Sequence, residues 1–298
     1  MTTRQIQDAI EEGNALKLIS QAYGEIASIK LKKIRSEVER NRAFFDEIAS
    51  VYRIVNLMAA QKAIVVPTPK KGTISVLITS NYRFYGNINN DLIRYFIVNT
   101  TKYQTDRLII GETALDHFKT IKYFHSFENV VLKKDLPSLT ELASLATKFK
   151  DYSRVLVFYS QFKSVIIQKP TTSDITQFQP KPGPKQVEKN LSLSLNLSLM
   201  LGPALSSSFI FEPEIEKILE FFDHQVKILL LEQTFLESEL ARTASRLVSM
   251  DEAQTNANEY IKQQKRTLNN AQKSINNARI LETIASLTNF KRLNSAKL

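Results

Sequence analysis

The sequence predicts a small α/β domain inserted between two terminal helices that together form a long antiparallel coiled coil. Three observations support this fold class. Residues 214–287 contain neither proline nor glycine, and residues 2–62 contain no proline and only two glycines, Gly13 and Gly24. The residues between these segments alternate short β-branched runs with helical stretches, an order typical of a Rossmann-like domain with a parallel sheet.

The terminal segments, residues 1–62 and 213–298, are predicted to be the two coiled-coil helices, the second ending in a short basic tail. A helix of about 75 residues would span roughly 110 Å, which is too long for an ordinary helix in a globular core. The predicted N-terminal seam consists of Ile6, Ile10, Ile19, Tyr23, Ile26, Val38, Phe45, Ile48, Tyr52, Val55 and Ala59. The predicted C-terminal seam consists of Ile215, Leu219, Phe222, Val226, Leu229, Leu236, Leu240, Leu247, Ile261, Leu268 and Ile275.

The central segment, residues 72–210, is predicted to be the α/β domain. Its strands are expected at residues 73–79, 108–110, 154–159 and 164–167, and its helices at 91–98, 113–120 and 139–150. Ser138 is a candidate cap for the last of these helices. The alternation predicts a parallel sheet covered on both faces. A proline-rich linker is expected at residues 170–184, and a half-buried edge or hairpin strand at residues 191–199.

Composition excludes several classes of function. The 298 residues include no cysteine, so disulfides and thiol catalysis are excluded. No phosphate-binding glycine motif occurs among seven glycines, and the three histidines, His117, His125 and His224, lack triad or metal spacing. We therefore expect no catalytic residue, cofactor or metal. Mean hydropathy is −0.20 and the first twelve residues are polar, which predicts a cytoplasmic protein without a signal peptide.

The charge is uneven. The net charge is +10, and the residues after Glu259 carry eight lysines and arginines against one acid, Glu282. A second basic run lies at residues 30–35. Such faces attract acidic proteins, anionic lipid or nucleic acid. Aromatic residues are nearly absent from the C-terminal end, so the stacking surface of a single-strand binder is missing, and no nucleic-acid partner is expected.

Several stretches stand in a recognisable order along the chain. They are the segment from Ile19 to Lys33, the turn at residues 80–89, the strand from Val155 to Phe162, the landmark Phe211-Glu212-Pro213, and Arg246-Leu247-Val248-Ser249-Met250 followed by Asn256-Ala257. In order and spacing these stretches resemble the gamma subunit of F-type rotary ATPases, over almost the whole chain. The resemblance implies a non-catalytic rotor that couples rotation to ATP hydrolysis or synthesis.

The resemblance also implies partners. These are a hexamer of alpha and beta nucleotide-binding subunits, an epsilon-type stalk subunit, and a membrane ring or equivalent machinery, with the complex at the inner face of the cell membrane. The residues expected to contact the hexamer are Lys30, Lys32, Lys33, Arg246, Met250, Asn256, Lys265, Arg266, Lys273 and Arg279.

Departures from the family pattern leave two alternatives open. Gln272-Lys273 stand where the family usually has Arg-Gln, Asn276-Asn277 where it has Ile-Thr, and Arg279 where it has Glu. These changes are compatible with a specialised F-type-like ATPase that drives other machinery, such as gliding in wall-less bacteria. The second alternative is a basic coiled-coil adaptor that binds nucleic acid or membrane.

Overall fold

The computed structural model describes residues 2–61, 71–101, 104–123, 125–176 and 215–295. The elements in chain order are α1 (Thr3–Gln61), β1 (Lys71–Ile78), α2 (Ile88–Thr100), β2 (Asp106–Ile110), α3 (Glu112–Thr120), β3 (Glu128–Val130), α4 (Leu139–Phe149), β4 (Tyr152–Phe162), β5 (Gln168–Asp174) and α5 (Ile215–Ser295). The predicted order of helix, α/β domain and helix is confirmed. Helix α5 continues to Ser295, so most of the predicted basic tail is helical.

Within the described residues the sheet has five strands in the order β3-β2-β1-β4-β5. Strands β1 to β4 are parallel, and β5 pairs antiparallel with β4. The predicted parallel sheet is confirmed for β1 to β4, and β5 adds an antiparallel edge strand. The strand expected at residues 164–167 is misplaced, because those residues form the turn before β5. A strand that follows its neighbour after so short a connection must run antiparallel to it.

Two further elements were not expected from the sequence. Strand β3 has only three residues, which is too short for a periodic signal. Strand β5 contains Pro170, at a position that had been assigned to the linker. An edge strand tolerates proline because one of its sides needs no backbone donor. The remainder of that linker from residue 177, and the alternating run at residues 191–199, lie outside the described residues.

Both faces of the sheet are covered, as predicted. On one face, Val76, Leu108 and Val157 pack against α4 and against Leu231 and Phe235 of α5. The other face carries a second cluster that is covered by α2 and α3 and consists of Leu77, Leu92, Ile93, Phe96, Ile109, Ala114, Phe118 and Phe158. Ser138 caps α4 in a capping box with Glu141, as its sequence position indicated. The C-terminal helix α5 thus contributes side chains to the core of the sheet domain.

The chain divides into two compact units, one made of residues 1–29 and 246–298 and the other of residues 30–245. Helices α1 and α5 pair in each. In the first unit, Gly13 lies against Ile261 and Gly24 against Met250, so the two helices run antiparallel. In the second, Ile34 and Val38 form a cluster with Leu236 and Leu240. The predicted antiparallel coiled coil is confirmed.

The seam of the first unit is built from smaller side chains than predicted. Ile19, Tyr23 and Ile26 are 53%, 36% and 55% exposed, so their assignment to the seam is wrong. The seam instead contains Ile6 and the buried residues that follow it at intervals of seven, which are Gly13, Ser20 and Ala27. Small residues let helix backbones approach closely, but they give no apolar signal in the sequence. On α5, Val226, Leu229, Leu236, Leu240 and Ile261 are buried as predicted, whereas Ile275 is 42% exposed.

The two seam glycines should respond oppositely to substitution. A Cβ at Gly24 would lie 3.8 Å from Met250 Cβ, an ordinary contact. We expect Gly24→Ala to raise the free energy of unfolding by about 1 kcal/mol through helix propensity. A Cβ at Gly13 would lie 2.9 Å from Ile261 Cγ1. We expect Gly13→Ala to lower stability by about 1 kcal/mol, because overpacking exceeds the propensity gain.

Urea unfolding followed by helical circular dichroism measures both changes. Equal stabilisation by the two alanines would contradict the close helix approach at Gly13.

Candidate partner-binding surfaces and a buried charged joint

Two carboxylates of α5, Glu237 and Glu239, are buried where this helix passes the sheet domain and α1. The Glu239 side chain is fully buried and contacts Lys30 Nζ of α1 through Oε1. Its other oxygen, Oε2, accepts hydrogen bonds from Arg242 Nη2 at 2.8 Å and Nε at 3.1 Å. Arg242 also donates from Nη1 to Ser238 Oγ at 2.9 Å, and its side chain is 1% exposed. Charge-assisted hydrogen bonds of this kind are roughly twice as strong as bonds between neutral groups.

The pKa values of Glu239 and Arg242 are set by their burial and by their charged neighbours. Burial raises the pKa of Glu239, but attraction by Arg242 and Lys30 outweighs it, so the pKa lies below its ordinary value. Burial lowers the pKa of Arg242, and the neighbouring Glu239 reverses that change, so the net pKa is raised. Both groups are therefore held charged inside the fold, each by the other.

Glu237 connects α5 to a strand and to α1 at once. Its Oε2 accepts a hydrogen bond from the hydroxyl of Tyr159 on β4 at 3.0 Å, and its Oε1 contacts Arg42 Nη2 of α1 at 2.7 Å. The Glu237 side chain is 7% exposed. Burial, and then the charge of Glu237, raise the pKa of Tyr159, which keeps its hydroxyl protonated as the donor.

Loops at the carboxyl ends of the strands complete this cluster. The Tyr85 hydroxyl donates to Asp135 Oδ2 at 2.7 Å, and Asn81 N donates to Asp135 Oδ1 at 2.7 Å. Ser245 of α5 donates from Oγ to the carbonyl oxygen of Tyr85 at 2.7 Å. Burial, and then the negative charge of Glu239, raise the pKa of Tyr85. We call the set Lys30, Arg42, Tyr85, Asp135, Tyr159, Glu237, Glu239 and Arg242 the charged joint.

The charged joint predicts acid sensitivity. The Glu239 pKa is depressed in the folded state, so its contribution to stability is present above the ordinary value of 4.5 and is lost as the pH falls through the folded-state value. We expect the free energy of unfolding to fall below about pH 4.5. The measurement is urea unfolding between pH 3 and pH 7, and Glu239→Gln should flatten this part of the profile. An identical acid slope in that variant would show that other carboxylates account for it.

The ten residues predicted to contact a partner fall into two groups. Lys30 belongs to the charged joint, and Arg246 and Met250 are each 8% exposed. The Arg246 guanidinium lies 5.9 Å from the centroid of the Tyr23 ring, and Met250 packs on Gly24. Seven are exposed: Lys32, Lys33, Asn256, Lys265, Arg266, Lys273 and Arg279. The three residues of the first group contact other residues of this chain, whereas the seven of the second group are accessible to a partner.

A basic groove and an apolar stripe mark the surface of the first unit. The groove has a volume of about 420 Å³, lies between α1 and α5, and is lined by Lys17, Lys262, Lys265 and Arg266 among others. The stripe consists of Leu16, Ile19, Tyr23 and Ile26, spaced so that they share one face of α1. Sequence reasoning had assigned three of these four to the seam, so it missed the stripe as surface.

The described residues show neither a metal site nor a membrane span. Within the part of the chain that the structure covers, no group of three or more histidines or acids is placed to hold a metal ion. The helices in that part include none long and apolar enough to cross a bilayer. His117 packs edge-on against Phe118 and His125 lies beside Tyr123, so both belong to aromatic clusters.

Comparison with known proteins agrees with this architecture. The family model described as ATP synthase matches residues 2–287. The ATP synthase gamma chain of Staphylococcus saprophyticus is 22% identical over 271 residues, covering 87% of this chain and 88% of that protein. The ATP synthase gamma chain of Clostridium acetobutylicum is 26% identical over 257 residues, covering 82% of this chain and 83% of that protein.

Solved structures give the same fold. A chain in the central stalk and c-ring of the Tetrahymena thermophila mitochondrial ATP synthase matches with a TM-score of 0.57 at 21% identity, over 79% of this chain and 99% of that one. A chain of the Euglena gracilis mitochondrial ATP synthase matches with a TM-score of 0.54 at 16% identity, over 88% of this chain and 94% of that one.

The α/β domain between two terminal helices that pair antiparallel is thus a fold that this chain shares with chains of those ATP synthase structures. The chain belongs to the ATP synthase family, which the family model shows over nearly its whole length. The predicted resemblance to the gamma subunit is confirmed, and so is the predicted role as a rotor subunit of an F-type ATP synthase.

Proposed function

We propose that α1 and α5 form a non-catalytic axle that turns inside a hexamer of alpha- and beta-type subunits at the inner face of the cell membrane. The sheet domain would join an epsilon-type stalk subunit and a membrane ring or equivalent machinery. The supporting observation is a series of exposed cations along α5, Lys262, Lys265, Arg266, Lys273 and Arg279, on a helix that also contributes to the core of the sheet domain.

The mechanism rests on an asymmetric axle. An axle that contacts each catalytic site differently biases the sites toward different nucleotide states, because it stabilises one conformation over another by its differential affinity. Coupling is reciprocal, so nucleotide turnover in the hexamer also changes the favoured orientation of the axle. The chain therefore needs no catalytic group of its own.

Exposed cations suit a surface that must move past its partner. Attraction between exposed charges is screened over about 8 Å at physiological ionic strength, so it holds the axle without fixing it at one hexamer position. Lys265 and Arg266 lie on the basic groove of the first unit, and we assign that groove to an acidic surface of the hexamer. Lys32 and Lys33, which are exposed on α1, are assigned to a second contact of the same kind.

Truncation after Asn270 tests the axle assignment. The deleted side chains that the structure describes, at residues 271–287, contribute nothing to the clusters that build the sheet domain, so that domain should remain folded. In a complex reconstituted with the alpha, beta and membrane subunits, we expect ATP hydrolysis to continue and ATP-driven proton pumping per ATP to fall. Full-length chain with Lys273→Gln and Arg279→Gln is the control that separates loss of charge from loss of length. Unchanged pumping in the truncated complex would contradict the assignment.

A second candidate, a basic adaptor for nucleic acid or anionic membrane, is favoured only by the basic groove. It requires binding of DNA or anionic vesicles by the chain alone, with an affinity that falls steeply with salt. Purification of the chain from its own cells separates the alternatives. A stoichiometric complex with nucleotide-binding subunits supports the rotor, and replacement of the membrane ring by other proteins would indicate a specialised motor.

A further inference from the structure

We propose that the charged joint is a two-way clamp that fixes the angle and the axial position of α5 against α1 and the sheet domain, and so passes torque between them. This inference rests on the proposed rotor function. It assigns positioning roles to Glu237, Glu239, Lys30, Arg42 and Tyr159, and all of these residues lie in the unit formed by residues 30–245.

The clamp grips α5 from well-separated directions. Glu237 and Glu239 are two positions apart on the helix, so their side chains leave it about 200° apart. Glu237 binds Tyr159 of β4 and Arg42 of α1, whereas Glu239 binds Lys30 of α1 and is oriented by Arg242 on its own helix. Turning α5 about its own axis therefore lengthens contacts on both sides at once.

The same contacts oppose sliding. Lys30 and Arg42 are twelve positions apart on α1, which corresponds to about 18 Å along the helix. They nevertheless contact carboxylates only two positions apart on α5. One cation must reach toward the C-terminus of α1 and the other toward its N-terminus. Movement of α1 along α5 in either direction stretches one of these two ion pairs.

Apolar packing alone would not supply this restraint. Ile34, Val38, Leu236 and Leu240 hold the helices together in the same region. Hydrophobic attraction is non-directional, so these contacts favour burial without by themselves selecting one orientation of the helices. Hydrogen-bonded ions weaken steeply with angle and distance, and buried polar groups are best attested as devices that fix register. The charged joint thus supplies the directional restraint on rotation and sliding of α5 that apolar contacts do not give.

The sheet domain is held to α5 by the same cluster. Tyr159 attaches β4 to Glu237, and Ser245 attaches the loop after β1 to α5 through the Tyr85 carbonyl. Asp135 receives the Tyr85 hydroxyl and lies close enough to Arg242 to raise its pKa. Torque applied to the sheet domain would therefore reach both helices through fixed polar contacts.

Single-molecule stiffness tests the clamp. In the reconstituted complex with an immobilised hexamer, a probe on Val98→Cys, a side chain on α2 that is 63% exposed, reports the angular fluctuation of the sheet domain. The natural chain has no cysteine to interfere. Because Glu237 and Glu239 act in parallel, we expect Arg42→Met with Tyr159→Phe to lower torsional stiffness roughly two-fold. Arg42→Lys with Tyr159 retained should restore most of it.

The control is Arg154→Met. Arg154 pairs with Asp174 at 2.7 Å between β4 and β5, on the same domain but outside the joint, and stiffness should not change. Stiffness at the unsubstituted level in the Arg42/Tyr159 variant would overturn the clamp. A failure of the unsubstituted chain to assemble or rotate would instead overturn the proposed function. If the double variant does not fold, Tyr159→Phe alone, which removes one hydroxyl, replaces it in the measurement. This single variant should give a smaller loss of torsional stiffness.

Discussion

Replacing Glu239 by glutamine should lower the free energy of unfolding by about 3–5 kcal/mol, the usual cost of breaking a buried ion pair on one side. The variant leaves the Arg242 guanidinium, whose side chain is 1% exposed, without its carboxylate. Burial then acts on a charge whose counterion has been removed. Urea unfolding of the full chain at neutral pH measures this loss.

Two comparisons isolate the effect of burial in the Glu239 prediction. Glu128 pairs with Lys148 at the surface, and its side chain is 60% exposed. Glu128→Gln should therefore change stability by less than about 1 kcal/mol. Replacing both partners, as in Glu239→Leu with Arg242→Met, should recover much of the loss, since the apolar pair leaves neither of these two buried charges without its partner. A small effect of Glu239→Gln alone would mean that Arg242 finds water or another acceptor.

Gly111→Ala should lower the free energy of unfolding at least as much as the loss of a core methylene group does. Gly111 has φ +105°, a region that L-residues rarely adopt, and a Cβ there would lie 2.6 Å from the carbonyl oxygen of Thr79 and 2.7 Å from its Oγ1. Thr79 is fixed by a backbone hydrogen bond to Ile110, so it cannot move aside cheaply. We expect a loss of about 3 kcal/mol from strain and overlap together.

The control for Gly111 is Gly72→Ala, because a Cβ at Gly72 meets nothing within 4 Å. That substitution should be neutral or slightly stabilising, since alanine reduces the freedom of the unfolded chain. Thermal unfolding compares the two variants directly. Similar melting temperatures for both would show that the turn after β2 can rearrange.

The large-scale fold could be predicted because it depends on signals that extend over many residues. Long segments without proline or glycine predicted α1 and α5, and β-branched runs predicted β1, β2 and β4. Local geometry was harder to predict from the sequence. The run Val165-Ile166-Ile167 has a strong strand propensity, but the turn before β5 places it outside the sheet, where Ile166 is 81% exposed. Propensity is overruled here by the pairing that the chain can reach.

The charged joint and the seam of small residues escaped prediction for a related reason. Charged side chains on a helix are usually solvated, so Glu237, Glu239 and Arg242 gave no sign of burial by type alone. Their position offered no clear signal either, because the stretch from Leu229 to Ala241 also contains Glu232, Gln233, Thr234 and Ser238. Gly13, Ser20 and Ala27 keep the heptad spacing without apolar bulk, so a search for large hydrophobic residues selected Ile19, Tyr23 and Ile26 instead.

The most direct measurement of the central claim is ATP-driven rotation. The hexamer of alpha- and beta-type subunits would be immobilised, and a probe attached to Val98→Cys on the sheet domain would be followed by light microscopy. The rotor account predicts continuous rotation in one direction that requires ATP and stops when hydrolysis is inhibited. A stable complex that hydrolyses ATP while the probe stays at a fixed angle would contradict it.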